Sequence, residues 1–236
     1  MIDMSKGIAR LNALENDKFQ EALNKYPAFL KLPDDIIYSL SREFVDTVKN
    51  ENIIFLSFHG QVCVDLQLAV LSTLRQHDVQ ACLMLRHALE ATALAAYATI
   101  FKPGADEAGI MAEFGHTGKA YKWIEAEFPE YSSKIKRLKE KINENFSHAN
   151  ITTAAPNISE RDGKLNLHFF DTNSSALIGP RLYVISEIGW IAMDLLEKAI
   201  VKANNGIVVQ DGTDKRIKDF SEQIDKVFAE LKTAKS

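Results

Sequence analysis

The sequence predicts a mainly α protein, an antiparallel helical bundle with one inserted β-hairpin. Three observations lead there. The stretch 79–101, VQACLMLRHALEATALAAYATIF, is apolar on nearly every side, and its only charges are Arg86 and Glu90. A helix that is hydrophobic all round belongs at the centre of a bundle. Through most of the remaining chain, apolar residues recur at helical spacing, and only between Ala155 and Asp171 does the period change to two.

Taken in order, Ile8, Leu11, Leu14, Ala22 and Tyr26 keep rough helical spacing until Pro27 breaks the run. A second helix is expected from Asp34, where LPDD supplies proline punctuation and a capping carboxylate, with the stripe Ile36, Ile37, Leu40, Phe44 and Val48. The run IIFLSF at 53–58 reads as the opening of a third helix, because Val62, Leu66, Ala69, Val70 and Leu74 continue its spacing. Asp78 is placed to cap the central helix, which Lys102-Pro103-Gly104 ends. Asp106 could cap the next, and GHTG at 115–118 interrupts a stripe of Ile110, Phe114, Tyr121, Ile124 and Phe128.

After Pro129 comes a highly charged helix whose narrow apolar face is Ile135, Leu138, Ile142, Phe146 and Ala149, the pattern of an outer helix. Leu165, Leu167 and Phe169 then alternate with Asn166, His168 and Phe170, and Asp162-Gly163 is a tight-turn dipeptide, so a hairpin is expected here. Gly179-Pro180 should open a long helix with Ile185, Ile188, Ala192, Leu195, Leu196 and Ala199 inward, ended by Asn204-Asn205-Gly206. The last helix carries Ile217, Phe220, Ile224, Val227, Phe228 and Leu231 on one face. The core helices are expected at 57–76, 78–101, 134–149 and 180–203, within a single domain over 1–236 whose terminal helices pack outside.

The 236 residues, 46% hydrophobic and 25% charged, are an ordinary globular composition. A net charge of −4 argues against a chain wrapped in nucleic acid, though not against a local basic patch. Cys63 and Cys82 lie inside apolar runs, as buried thiols of a reducing compartment do. The first residues, MIDMSKGIARLNALEND, show neither a continuous apolar region nor a small-residue cleavage site. The apolar run after Glu90 is about half the ~20 residues a bilayer needs. A cytoplasmic protein without membrane contact is the expectation.

Among chemical motifs, GHTGKA at 115–120 fails as a phosphate loop, since Glu113 and Ala120 stand where glycine and Ser or Thr are required. No nucleophile elbow, zinc helix or Cys-x-x-Cys pair is present, so no cofactor is expected. His59 with His77-Asp78 could serve as divalent-metal ligands. A helix cap explains His77-Asp78 more simply, and no metal is expected. Lys134, Lys136, Arg137, Lys139 and Lys141 could attract phosphates, or form the solvated face of an outer helix interleaved with Glu140 and Glu144.

Arg86 and Glu90 carry most interest, because Arg and Glu are rarely buried unless paired. At i and i+4 they share a face. They either fix helix register as an ion pair, or present Arg86, oriented by Glu90, to an anion or a phosphoryl transition state. His148, beside Ser147 and Asn150, could join them as a general base, or could simply interact with its helix dipole.

MLRHALEATALAAY (84–97) followed by FSHANI (146–151) resembles a pattern in bacterial all-helical families, similar in outline to HEPN domains of toxin–antitoxin and phage-defence ribonucleases. Arg86, Glu90, Ser147 and His148 are the matching positions. The resemblance implies a helical protein of a defence or stress system that binds or cleaves RNA, or binds a nucleotide, with Arg86, Glu90 and His148 catalytic. Ser147, Asn150, Lys134, Arg137 and Lys141 would then contribute to binding. HEPN nucleases carry Arg, four to six residues, then His on one helix. The pair here at that spacing, Arg161 and His168, falls on the expected hairpin. The alternative is a non-enzymatic interaction module forming a homodimer through the stripe Ile217–Leu231.

Overall fold

The computed structural model describes residues 7–101, 107–146, 158–161, 164–167 and 174–233. The fold is mainly α, a helical bundle with an inserted hairpin. Its elements are α1 (Gly7–Lys25), α2 (Pro27–Arg42), β1 (Val45–Val48), a short 3-10 turn (Asn50–Asn52), α3 (Ile53–Leu74), α4 (Asp78–Ala98), α5 (Glu107–Phe114), α6 (Gly118–Glu127) and α7 (Pro129–Phe146). The hairpin strands β2 (Ile158–Arg161) and β3 (Lys164–Leu167) follow, then α8 (Ser174–Ala203), β4 (Ile207–Val209) and α9 (Thr213–Thr233). Arg161 pairs with Lys164 at one end of the β2–β3 ladder, and Ile158 with Leu167 at the other.

α4 is the central helix. Ala88, Leu89, Ala93, Ala95 and Ala96 are fully buried, and the many alanines let α3 and α8 approach closely. Further along its length α4 also packs on α6 and α7. Gln76 adopts a φ of 62°, a conformation usually left to glycine, and turns the chain from α3 into α4 within a few residues. The two helices therefore run antiparallel. Asn205, after α8, bonds the carbonyl of Thr99 at the end of α4, so α4 and α8 finish at the same end of the bundle. α7 runs the opposite way to α8, with Tyr131 against Asp194 and Arg137 against Glu187.

Two expected helix starts are corrected. α2 begins at Pro27 rather than Asp34 and continues through Pro33. Proline suits the first helical position, and Leu32, Ile36, Ile37 and Leu40 form one buried stripe that crosses Pro33. Likewise α8 opens at Ser174, with Pro180 inside it. Buried Ile178, Leu182, Ile185 and Ile188 keep their spacing across that proline, so packing outweighs the lost backbone bond. Asp78 is not the cap of α4: His77 occupies that position, its side chain making no capping bond to the helix, and Asp78 is the first helical residue, where a carboxylate still favours the dipole.

A second antiparallel strand pair, β1 with β4, was not apparent from the pattern. It places Val48 opposite Ile207 and absorbs an irregularity between Val45 and Thr47. It also removes Val48 from the stripe assigned to α2. The C-terminal stripe is used within the chain: Ile217, Phe220 and Ile224 are buried, and α9 packs on α8 and α2. Phe228 is exposed but stacks on Tyr183. The expected caps and turns at 102–106, together with Ala149, Phe169 and Phe170, lie outside the described residues.

Candidate functional site

Where α4, α6 and α7 meet, the polar residues of α4 come together with partners from both neighbours. Arg86 Nε donates to Glu90 Oε1 at 3.3 Å within α4. Lys139 of α7 reaches the same oxygen at 3.1 Å and donates to the Tyr121 hydroxyl of α6 at 3.0 Å. Its ammonium also lies 4.4 Å from the Tyr121 ring centre, a cation–π contact.

Helical spacing explains the arrangement. Arg86, Glu90 and Tyr97 lie on one side of α4, while its alanine-rich sides are packed on α3 and α8. Ile135, Leu138 and Ile142 seat α7 in the core, which leaves Lys139 at the flank facing α4 and α6. Two turns beyond Glu90, the Tyr97 hydroxyl donates to Glu113 of α5, which Lys119 of α6 meets at 2.6 Å. The seam thus holds Arg86, Lys139 and Lys119 against Glu90 and Glu113, a local cationic excess in an acidic chain.

The electrostatics follow from these contacts. Burial alone would raise the Glu90 carboxyl, but the hydrogen bond and charge of Lys139, then those of Arg86, outweigh it and hold it below the ordinary carboxylate range. Burial pushes the Tyr121 hydroxyl up against the opposing pull of Lys139. The bond to Glu113, helped by burial, pushes Tyr97 up to about 12. Glu113 itself is lowered by its bonds from Lys119 and Tyr97. Glu90 is therefore an anion held by two cations, unsuited to act as a general acid near neutrality.

The Arg86 side chain is 37% exposed, so the pair is neither sealed nor fully solvated. Among the described residues its terminal guanidinium nitrogens make no hydrogen bond, since Nε alone holds Glu90. A planar fork left open in this way suits bidentate recognition of a phosphate or carboxylate.

The basic run of α7 is divided between flanks. Lys134 sits over the Trp190 ring at 4.6 Å and the Tyr131 ring at 5.2 Å, and Arg137 pairs with Glu187 at 2.9 Å. Both therefore help hold α7 to α8. Lys136 and Lys141 are exposed. Ser147, His148 and Asn150 lie outside the described residues, as does His168, while Arg161 is in a strand as expected.

His59 and His77 are not one constellation. They are separated by most of α3, ~27 Å at 1.5 Å per residue. His59 stacks between Phe44 and Phe55 with a ring nitrogen 3.0 Å from the Leu40 carbonyl, and burial holds its pKa down despite that bond. His77 instead meets Glu15 at 3.1 Å. Among the described residues no group of three His, Cys, Asp or Glu side chains is placed to hold a metal.

Pattern reading overlooked two features. Lys139 was one cation in a run of five, and nothing in the spacing marked it as the partner of Glu90 or placed Tyr121 beside it. Asp65, buried on α3, is met by Gln61 at 2.9 Å and by the His87 ring at 2.9 Å. Here a signal existed: Asp65 is the only carboxylate in the apolar run of α3. Comparison of the chain with family models, with curated proteins and with solved structures finds no match to any of the three.

Proposed function

We propose that this chain is a HEPN-like helical protein of a bacterial defence or stress system, which binds RNA or a nucleotide through phosphate at the α4–α6–α7 seam. The observation that carries this reading is the state of Arg86. Its Nε is fixed by Glu90, Glu90 is charge-balanced by Lys139, and among the described residues nothing bonds the outer guanidinium nitrogens. A pre-oriented, partly exposed arginine recognises phosphate better than a mobile one, because less side-chain freedom is lost on binding.

The direction of α7 is in keeping with this reading. α7 runs opposite to α8, and α4 runs with α8, so α7 proceeds from Lys139 towards the Arg86 end of α4 before it finishes at Phe146. In the proposal, His148 takes the proton of the attacking 2′-hydroxyl as its oxygen bonds to phosphorus, Arg86 stabilises the negative charge that builds on the non-bridging phosphate oxygens, and the P–O5′ bond breaks with the departing 5′-oxygen protonated from water. Lys136 and Lys141 add a long-range attraction that salt should screen.

The test uses a fluorescently labelled single-stranded RNA, with anisotropy for binding and gel electrophoresis for cleavage. Arg86→Ala should weaken binding by ~10-fold or more, the scale of a lost charge-assisted bond pair. His148→Ala should keep binding and lose cleavage, with circular dichroism unchanged in both. Wild-type affinity and rate in both variants would overturn the assignment.

A further inference from the structure

In α3, hydrophobicity and burial are decoupled. Its most apolar window has a mean hydropathy of 1.6, yet only 39% of that window is buried. The polar residues one expects outside, His59 and Asp65, are turned inward. Ile53, Leu56, Val64 and Leu68 are exposed by 60%, 42%, 48% and 40%. With Ser57, Gly60, Gln67 and the partly buried Leu71 they make one side of the helix, and that side carries no charge. Contiguous uncharged apolar faces on helices are association surfaces.

We propose that this face is where two copies of the chain pair, α3 against α3, antiparallel about a two-fold axis level with Val62. The sequence of the face is self-complementary about that level. Residues equally distant from Val62 are Gly60 and Val64, Ser57 and Gln67, Leu56 and Leu68, and Ile53 and Leu71. In an isologous pair each residue meets its counterpart on the other copy twice. Small therefore meets branched, polar meets polar, and apolar meets apolar. A Cβ built on Gly60 meets nothing within 4 Å, so the glycine leaves a shallow notch at the centre, into which Val64 of the other copy fits.

The size and charge of the surroundings favour a second copy over a lipid surface. The 22 residues of α3 make a rod of about 33 Å. With the flanking helices α2 and α4, ~24 and ~32 Å long, which add exposed Tyr38 and Leu83, the face is on the order of 800 Å² at ~9 Å per helix, the size of the ~800 Å² per partner of a stable interface. The grooves beside α3 are bordered by Asp34, Asp46 and Arg42, acidic on balance, whereas membrane-surface helices carry a basic rim. None of the residues of the Arg86 seam takes part, so this inference stands or falls independently of the phosphate reading.

Sedimentation equilibrium of the full chain tests it. The wild type should show twice the 26.4 kDa chain mass. Leu56→Lys and Leu68→Glu, each alone, should weaken the dimer by ~10-fold or more, while the two together should restore it, because the new opposite charges then face each other across the axis. Gly60→Leu should give a folded monomer with an unchanged circular dichroism spectrum. A wild type that remains monomeric would overturn the proposal, as would single variants that keep the dimer mass or a double variant that stays monomeric. Monomers that float with phosphatidylcholine vesicles would assign the face to lipid instead.

Discussion

α3 and α4 are neighbours of similar length and similar apolar composition, yet they solve opposite problems. α4 is enclosed by α3, α6, α7 and α8, and its charges Arg86 and Glu90 emerge at the seam where coverage ends. α3 is covered on one side only; its polar His59 and Asp65 point inward, and leucine and valine point out. The lesson is that an apolar helix reveals how it is buried through the direction of its few polar residues, not through its hydropathy. In α4 they mark an exit to solvent. In α3 they mark the inside, which leaves the opposite face for something else.

The contrast can be broken most forcefully in the core. Leu89→Ala, in the enclosed part of α4, should cost about 2–5 kcal/mol in urea unfolding, while Val64→Ala on the outer face of α3 should stay within ~0.5 kcal/mol for the monomer. Equal losses at the two positions would mean that α3 is covered in the monomer after all.

A pair of glycines sharpens the comparison. A Cβ on Gly189 of α8 would lie 2.7 Å from Ile36 Cγ2, whereas on Gly60 it meets open space. Made in the Leu56→Lys background, where the proposed pairing is weakened, Gly189→Ala should therefore destabilise by about 1–3 kcal/mol, and Gly60→Ala should stabilise the monomer by up to ~1 kcal/mol through helix propensity. Calorimetry reads both as shifts of Tm in opposite directions; shifts of the same sign would contradict the account.

The smallest effect concerns the seam. Because Glu90 is held below its ordinary value near 4.5, it stays ionised in the folded chain at pH values where the unfolded chain has bound a proton. Its stabilising contribution is full above that ordinary value and is lost as pH falls below it. Glu90→Gln should therefore flatten the acid limb of the stability profile by removing, near neutrality, a contribution of less than ~1 kcal/mol, as befits a partly exposed ion pair, and leave stability in strong acid little changed. An acid limb identical to wild type would show that the Lys139 and Arg86 contacts contribute nothing.

Much of the bundle was legible because periodicity is local. The stripes of α3, α4, α7 and α8, and the switch to period two at the hairpin, are written in neighbouring residues. Proline misled twice, at Pro33 and Pro180, because the penalty is local while the stripe that offsets it spans the whole helix. β1 and β4 are four and three residues long and pair across about 160 residues, so no local pattern could reveal them. Half of the candidate site was legible in the same way: Arg86 and Glu90 stand out as charges in an apolar run. Lys139 and Tyr121 did not, since their role depends on how α6 and α7 lie over α4.

The most direct test of the central claim compares two arginines that a simple basic-patch account would treat alike. Among the described residues only Nε of Arg86 is bonded, to Glu90 at the seam, whereas Arg137 is paired with Glu187 on the opposite flank of α7. Equilibrium binding of labelled single-stranded RNA should weaken by ~10-fold or more in Arg86→Ala and by less than about twofold in Arg137→Ala. Equal losses, or a larger loss at Arg137, would contradict the account and make α7 a general basic surface.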